Sequence, residues 1–206
     1  MTLAQVLYKL FIALLFILSL PVQFFIIILV AISTGFPVIF QQKRVGLDGG
    51  TFKLYKIRTM TVGAEKIQKI YRRRNEADGP VFKIYGDPRY TSIGKFLAHT
   101  GLDELPQLYN VLHGDMALFG PRPLPINEER FLLSWQKQRE MVLPGIISPA
   151  IIHGRYHSDF EAWVRSDIAY AKRKNMRTDT KLFFETFLFM GKLFAYTVRK
   201  TLINKA

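Results

Sequence analysis

Leu10–Phe40 reads LFIALLFILSLPVQFFIIILVAISTGFPVIF and carries no charged side chain. A secretory signal would have a shorter apolar core and a small-residue cleavage site. At about 1.5 Å per residue the run makes a helix of roughly 46 Å, longer than the ~30 Å hydrocarbon core of a bilayer requires. Two arrangements fit that length: a tilted spanning helix kinked at Pro21, or a re-entrant hairpin that enters and leaves on one side. Proline removes a backbone hydrogen bond and crowds the preceding turn. A break is therefore expected at Ser19-Leu20-Pro21, with the Ser19 hydroxyl re-satisfying a freed carbonyl. Lys9 precedes the run and Lys43-Arg44 follow it. Basic residues on both flanks favour both ends in the cytoplasm, and so the re-entrant arrangement for residues 1–40.

Beyond Pro37 the periodicity changes. Val38 to Gly46 reads as a strand, Asp48-Gly49-Gly50 as a turn, and Thr51 to Arg58 alternates apolar with polar as a returning strand. From Lys53 to Arg74 eight basic residues stand against one acidic residue, Glu65. This is either a solvated basic face or a surface against lipid headgroups. Asn75 to Pro80 reads as a loop, Val81-Phe82-Lys83-Ile84 as a short strand or turn, and Ile93 to Ala98 as a short helix with Gly101 as its C-cap. Asn127 to Met141 and Glu161 to Met176 have amphipathic helical patterns, and Ile146 to Ile152, which contains Pro149, reads as irregular or edge structure. Residues 181–206 are rich in Phe and Leu but too charged for a comfortable span, which predicts an interfacial helix. The fold class is α/β: mostly helical, with few short strands. A small domain over residues 41–180 then carries interfacial amphipathic helices beside the membrane-inserted N-terminal segment.

The 206 residues suffice for one domain with a core and an appendage. The formal net charge of +13 implies an anionic partner: nucleic acid, an anionic leaflet or a phosphorylated substrate. The chain has no cysteine, which excludes a disulfide framework and a thiolate zinc site. No nucleic-acid fold signature accompanies the charge, and a membrane segment argues against nucleic acid as partner.

The chemistry centres on Leu102-Asp103-Glu104-Leu105-Pro106-Gln107-Leu108-Tyr109-Asn110. Pro106 suits a first helical position, and Leu105, Leu108 and Leu112 recur as a buried helical face. Asp103 and Glu104 then lie before free backbone N–H groups at the positive end of a helix. One reading is an N-cap carboxylate with a neighbouring surface glutamate. The other is a reaction centre. Single arginines are spread through the chain at Arg58, Arg89, Arg122 and Arg155, and Arg122 is held between two prolines in Gly120-Pro121-Arg122-Pro123. Two carboxylates among arginines, with no Walker A or Gly-x-Ser-x-Gly pattern, suit phosphoryl chemistry. Arginines and a hard divalent cation would neutralise the phosphates, and a carboxylate can itself attack phosphorus.

Five motifs occur in order: Lys56-Ile57-Arg58-Thr59-Met60, Leu102 to Gln107, Gly114-Asp115-Met116, Gly120 to Pro123, and Pro144-Gly145-Ile146. Together they resemble the bacterial sugar transferases known as monotopic phosphoglycosyl transferases, over roughly Pro37 to Arg173. The resemblance implies transfer of a sugar-1-phosphate from a UDP-sugar to polyprenyl (undecaprenyl) phosphate, with release of UMP. It implies Asp103 as nucleophile, Glu104 assisting, Mg²⁺ held by Asp103 and Glu104, and phosphate contacts from Arg155, with Arg122 supporting the site. Arg58, Arg89 and Lys56 join these as candidate phosphate ligands. It also implies a proline-broken re-entrant helix, matching Ser19 and Pro21, and a place at the bacterial inner membrane with the catalytic domain on the cytoplasmic face.

The expected partners are a UDP-sugar, polyprenyl phosphate and anionic membrane lipids, with a homodimer left open. This chain departs from the family pattern at Arg58, where many members have lysine, at Ala98-His99, at Ile147 to Ile151, and at His153. Against the enzyme reading stand a basic membrane-binding scaffold, which leaves the recurrence of these motifs unexplained, and nucleic-acid binding.

Overall fold

The computed structural model describes residues 2–152 and 159–203. Helix α1 (Leu3–Thr34) opens on a reciprocal cap, in which Thr2 accepts from the Gln5 amide and the Gln5 side chain accepts from the Thr2 amide. It closes at Gly35, whose φ of 72° only glycine adopts without strain.

The break expected at Pro21 is not an interruption: α1 is continuous across it. Local polar groups explain why. The Ser19 hydroxyl donates to the Phe16 carbonyl at 2.7 Å, and Gln23 Nε2 donates to Ser19 Oγ at 2.8 Å, so a side-chain bridge straddles the proline. Ser19 thus bonds a neighbouring carbonyl rather than that of Ile17, the one an absent Pro21 N–H would have met. The buried positions of α1 are Ile12, Gln23, Ile26 and Val30, which fall on one helical stripe. The remaining faces, including Leu14, Leu18, Phe25 and Ile32, are exposed. Among the described residues α1 is the one helix long and apolar enough to cross a membrane.

The expected hairpin forms. Strand β1 (Ile39–Val45) pairs antiparallel with β2 (Thr51–Ile57), with Val45 opposite Thr51 and Phe40 opposite Lys56. Both halves of α1 rest on this unit. Ile12 packs with Leu54, Val111 and Met116, while Ile26 and Val30 pack with Val38, Ile57 and Leu97.

The basic segment winds through α2 (Ala64–Ile67) into a 3₁₀ stretch, Gln68–Arg74, and its lysines and arginines are exposed. Helix α3 (Ser92–Thr100) starts on the Thr91 cap and ends on Gly101 in the left-handed region, as expected. Its Gly94 lies against the Thr59 carbonyl so closely that a Cβ there would be 1.8 Å from the oxygen. A 3₁₀ turn over Leu102–Glu104 leads to α4 (Gln107–His113).

Strand β3 (Ala117–Phe119) pairs parallel with β4 (Gly145–Ile147), a pairing the sequence does not announce. The amphipathic helix expected over Asn127–Met141 is two pieces instead: α5 (Ile126–Glu129) and a 3₁₀ stretch, Gln136–Met141. The chain turns between them, and the Gln136 side chain accepts from the Leu133 amide at 2.8 Å. After α6 (Pro149–Ile152), helix α7 (Phe160–Arg173) buries Trp163, Val164 and Ile168 against Val81, Leu124, Leu132 and Ala150. Helix α8 (Met176–Ile203) begins before the boundary expected at residue 181 and exposes Phe183, Phe184, Phe187 and Leu188.

Candidate active site

Asp103 is not a helix cap. It sits inside the 3₁₀ turn, and the α4 N-cap, Pro106, makes no side-chain capping bond. Gly101, at φ 73°, reverses the chain out of α3 and delivers Asp103 into the interior, where it is 5% exposed. Burial, the largest influence, pushes its carboxyl up to about 6, and Glu104 adds to the rise. Lys56 and Arg122 oppose it. A carboxylate in that range is still mostly ionised at neutral pH and is a better nucleophile than an ordinary aspartate.

Asn110 decides where this carboxylate lies. It is fully buried, and its amide acts on the open edge of β2 like a neighbouring strand. Oδ1 accepts from the Tyr55 amide at 3.2 Å, and Nδ2 donates to the Lys53 carbonyl at 2.7 Å. This pins α4, and the turn before it, to the strand that carries Lys56. Lys56 Nζ lies 4.0 Å from Asp103 Oδ2 and 5.5 Å from the centre of the Phe40 ring, its cross-strand partner. Burial pulls the Lys56 ammonium below the usual lysine range; Asp103 opposes that, and Arg44 and Arg122 add to it.

Glu104 pairs with the proline-clamped arginine. Arg122 Nη1 donates to Glu104 Oε1 at 2.9 Å. The loop behind Arg122 is fastened on several sides. Arg44 donates to the Pro123 carbonyl at 2.9 Å, the Gly145 amide to the Pro121 carbonyl at 2.9 Å, and Arg139 to the Arg122 carbonyl at 2.8 Å. Gly145 is required here, since a Cβ would fall 2.0 Å from the Gly120 nitrogen. Arg139 is itself buried and paired with Asp167, which Ser148 also contacts at 3.4 Å. Sequence reading missed Asn110, Arg139 and Asp167. One signal was available: Asp167 is a charge on the apolar face of α7, four residues from Trp163 and one from Ile168.

Two of the expected phosphate ligands are engaged elsewhere. Arg58 Nη2 donates to the Thr34 carbonyl, the Thr34 hydroxyl and the Gly35 carbonyl, which caps the end of α1. Arg89 grips Asp87 in a two-pronged pair and donates to the Ala64 carbonyl. Burial alone would raise the Asp87 carboxyl, but the Arg89 hydrogen bonds outweigh it and hold the group below the usual range. Both arginines shape the site through the backbone they hold. Arg155 lies outside the described residues.

A cavity of about 360 Å³ opens beside the pair. Lys56, Arg58, Lys83, Arg89, Tyr90 and Arg122 are among its lining. Asp103 and Glu104 adjoin it through Lys56 and Arg122 rather than lining it. No group of three or more carboxylate, histidine or cysteine side chains is gathered for a metal among the described residues. The two adjacent carboxylates still fit Mg²⁺, which ordinarily takes one or two carboxylates plus substrate oxygens and water.

The site joins a buried Asp103, a half-buried Glu104 and the proline-clamped Arg122 in a chain whose helix α1 is long and apolar enough to cross a membrane. The chain belongs to the bacterial sugar transferase family, whose model matches residues 2–192. It is 44% identical over 149 residues to the galactosyl transferase CpsE of Streptococcus agalactiae serotype III, covering 72% of this chain and 33% of that protein. It is 36% identical over 159 residues to the undecaprenyl-phosphate galactose phosphotransferase of Salmonella typhimurium, covering 74% of this chain and 33% of that protein. Similarity to the uncharacterized sugar transferase EpsL of Bacillus subtilis is 34% over 181 residues, 88% of this chain and 78% of that protein. The chain thus spans about a third of the length of the first two relatives.

Proposed function

We propose that this chain transfers a sugar-1-phosphate from a UDP-sugar to polyprenyl phosphate, with Asp103 as the nucleophile. The observation that carries this reading is a carboxylate 5% exposed, raised to about 6, and set 4.0 Å from Lys56 beside a basic cavity. An Asp103 oxygen attacks the phosphorus that bears the sugar. The bond from that phosphorus to the UMP oxygen breaks, and UMP leaves with the bonding pair. An oxygen of polyprenyl phosphate then attacks the same phosphorus, and the acyl–phosphorus bond breaks to restore the aspartate. Lys56 and Arg122 balance the phosphoryl charge, and Glu104 keeps Arg122 oriented. Mg²⁺ held by Asp103 and Glu104 would supply further neutralisation of the diphosphate.

The acceptor is a lipid, and two surfaces suit a bilayer. The outer faces of α1 are apolar from Leu10 to Ile32, and both of its halves rest on the domain, as a re-entrant or in-plane helix requires. The exposed Lys66, Lys69, Arg72, Arg73 and Arg74 flank exposed Ile70, a pattern suited to anionic headgroups. We assign this face to the cytoplasmic leaflet, where anionic lipid and nucleotide sugars meet. The test is UMP release by the purified protein given Mg²⁺, polyprenyl phosphate and a panel of UDP-sugars. Release is expected with at least one sugar and not with Asp103→Asn. Release undiminished in Asp103→Asn overturns the nucleophile.

A further inference from the structure

The cavity wall contains a cation that neither the motifs nor the reaction scheme uses. Lys83 lies in a segment without regular structure, yet its backbone is held as firmly as in a strand. The Asn75 side chain accepts from the Lys83 amide at 2.8 Å and donates to the Val81 carbonyl at 3.0 Å, while the Glu76 amide donates to the Lys83 carbonyl at 2.8 Å. On either side Val81 and Ile84 are buried to 4% and 1% exposure, which anchors the segment in the core. Phe82 and Lys83 are left to line the cavity. Phe82 is committed to Arg89, whose guanidinium lies 5.0 Å from the ring centre.

The Lys83 ammonium makes no hydrogen bond or ion pair among the described residues. Its charged neighbours are Arg122, Asp87 and Asp103. Asp87 is already taken by Arg89, and Asp103 faces Lys56. Burial pulls the Lys83 ammonium down, and the Arg122 charge adds to that. A lysine fixed at both backbone polar groups and turned to a cavity wall with Lys56 and Arg122 is a poor way to stabilise the empty protein. Lys83, Lys56 and Arg122 line one cavity, and although Asp87, Glu65 and Glu128 line it too, Asp87 is taken by Arg89 and Glu65 by Gln42, so an anion carrying more than one charge suits the basic wall.

We propose that Lys83 is a phosphate-binding residue of the nucleotide-sugar site, completing with Lys56 and Arg122 a three-cation cradle for the diphosphate. The inference rests on the proposed reading of the cavity as a nucleotide-sugar site. It adds a ligand the motifs did not name and gives the cradle a contribution from the Asn75–Ile84 loop. Arg58 and Arg89 also line the cavity, but Arg58 holds the end of α1 and Arg89 holds Asp87, which leaves Lys83 as a lining cation with no such partner among the described residues.

The experiment uses the full chain in detergent and measures UDP affinity by calorimetry, and the KM for whichever UDP-sugar supports UMP release. The variants are Lys83→Met, Lys83→Gln and Lys83→Arg. Losing one charge-assisted phosphate contact weakens binding about tenfold or more. The expected result is weaker UDP binding and a raised KM for Lys83→Met and Lys83→Gln, with most of the loss recovered in Lys83→Arg. Both neutral variants are expected to melt no lower than wild type, because a half-buried charge is removed. UDP affinity within twofold of wild type in a folded neutral variant overturns the role of Lys83 and leaves the enzyme reading intact. Wild-type protein that neither binds UDP nor turns over any UDP-sugar overturns both.

Discussion

Arg139 Nη2 donates to the backbone carbonyl of Arg122 at 2.8 Å, from a side chain 3% exposed. This bond joins the buried Arg139–Asp167 pair beneath α7 to the loop that presents Arg122 to Glu104. The Arg122 loop is therefore supported by a charge pair that does not line the cavity. The orientation of Arg122 depends on residues distant from it in sequence.

Removing half of that support is expected to be expensive. Arg139→Met leaves the Asp167 carboxylate buried without its cation, at about 3–5 kcal/mol. Denaturant unfolding of Arg139→Met and Asp167→Asn, in detergent, reads this loss. A double variant, Arg139→Met with Asp167→Leu, is expected to recover part of the stability. It is not expected to recover turnover, because the Arg122 carbonyl still lacks its donor.

Asp103→Asn is expected to abolish UMP release, by roughly 10³-fold or more, and at the same time to stabilise the fold. The carboxyl is raised on folding to about 6 from an ordinary 3.8. A raised group favours the folded state most below its unfolded value, and that benefit is lost as pH rises through the folded value. Relative to a neutral side chain, the wild-type aspartate therefore costs on the order of 2–3 kcal/mol at pH 8 and nothing near pH 3.5. Melting temperatures of the two proteins should differ at pH 8 and converge in acid. A variant less stable than wild type at pH 8 would show that Asp103 is held by attraction rather than strained by burial.

With Asp103 as the proposed nucleophile, the same carboxyl is expected to govern the rate. Only the ionised form attacks phosphorus, so kcat/KM is expected to fall as pH drops through about 6, approaching tenfold per pH unit below it. Lys56→Met removes the chief opposing cation and is expected to move the acid limb to higher pH. A pH–rate profile for each protein checks both statements.

Asn110 supplies the β2 edge with both a donor and an acceptor. Asn110→Leu leaves the Tyr55 amide and the Lys53 carbonyl without partners, at about 2–4 kcal/mol. Because Lys56 follows directly on that edge, turnover is expected to fall further than Asn110→Asp lowers it, since the aspartate retains the acceptor for Tyr55. Unfolding curves and UMP release, measured on both variants, test the ordering.

Vesicle binding separates the two membrane surfaces. Replacing Lys69, Arg72, Arg73 and Arg74 by glutamine is expected to weaken association with anionic vesicles by about 1 kcal/mol per residue at most, and less at high salt. Association through α1 is expected to persist on neutral vesicles in the same variant. Loss of binding to neutral vesicles as well would place the attachment in the basic segment rather than in α1.

Much of this was legible in the chain because it depends on local physics. The charge-free run dictates a long apolar helix, the period-two stretches around Asp48-Gly49-Gly50 dictate the hairpin, and Gly101 ends α3 because only a residue at ease with positive φ can. The adjacency of Asp103 and Glu104 and the rigidity of the arginine between two prolines are also properties of sequence alone. What each charged group faces is not. Arg58 and Arg89 line the cavity yet hold the end of α1 and Asp87, contacts no motif announces, while Lys83, unremarked in its segment, lines the same cavity. Pro21 promised a break that Ser19 and Gln23 bridge within the helix. Desolvation and pairing act between residues far apart along the chain, and they turn Asp103 from an apparent cap into a buried carboxylate near 6. Periodicity sets the elements; only their packing decides which charge is paired, which is buried and which is left for a substrate.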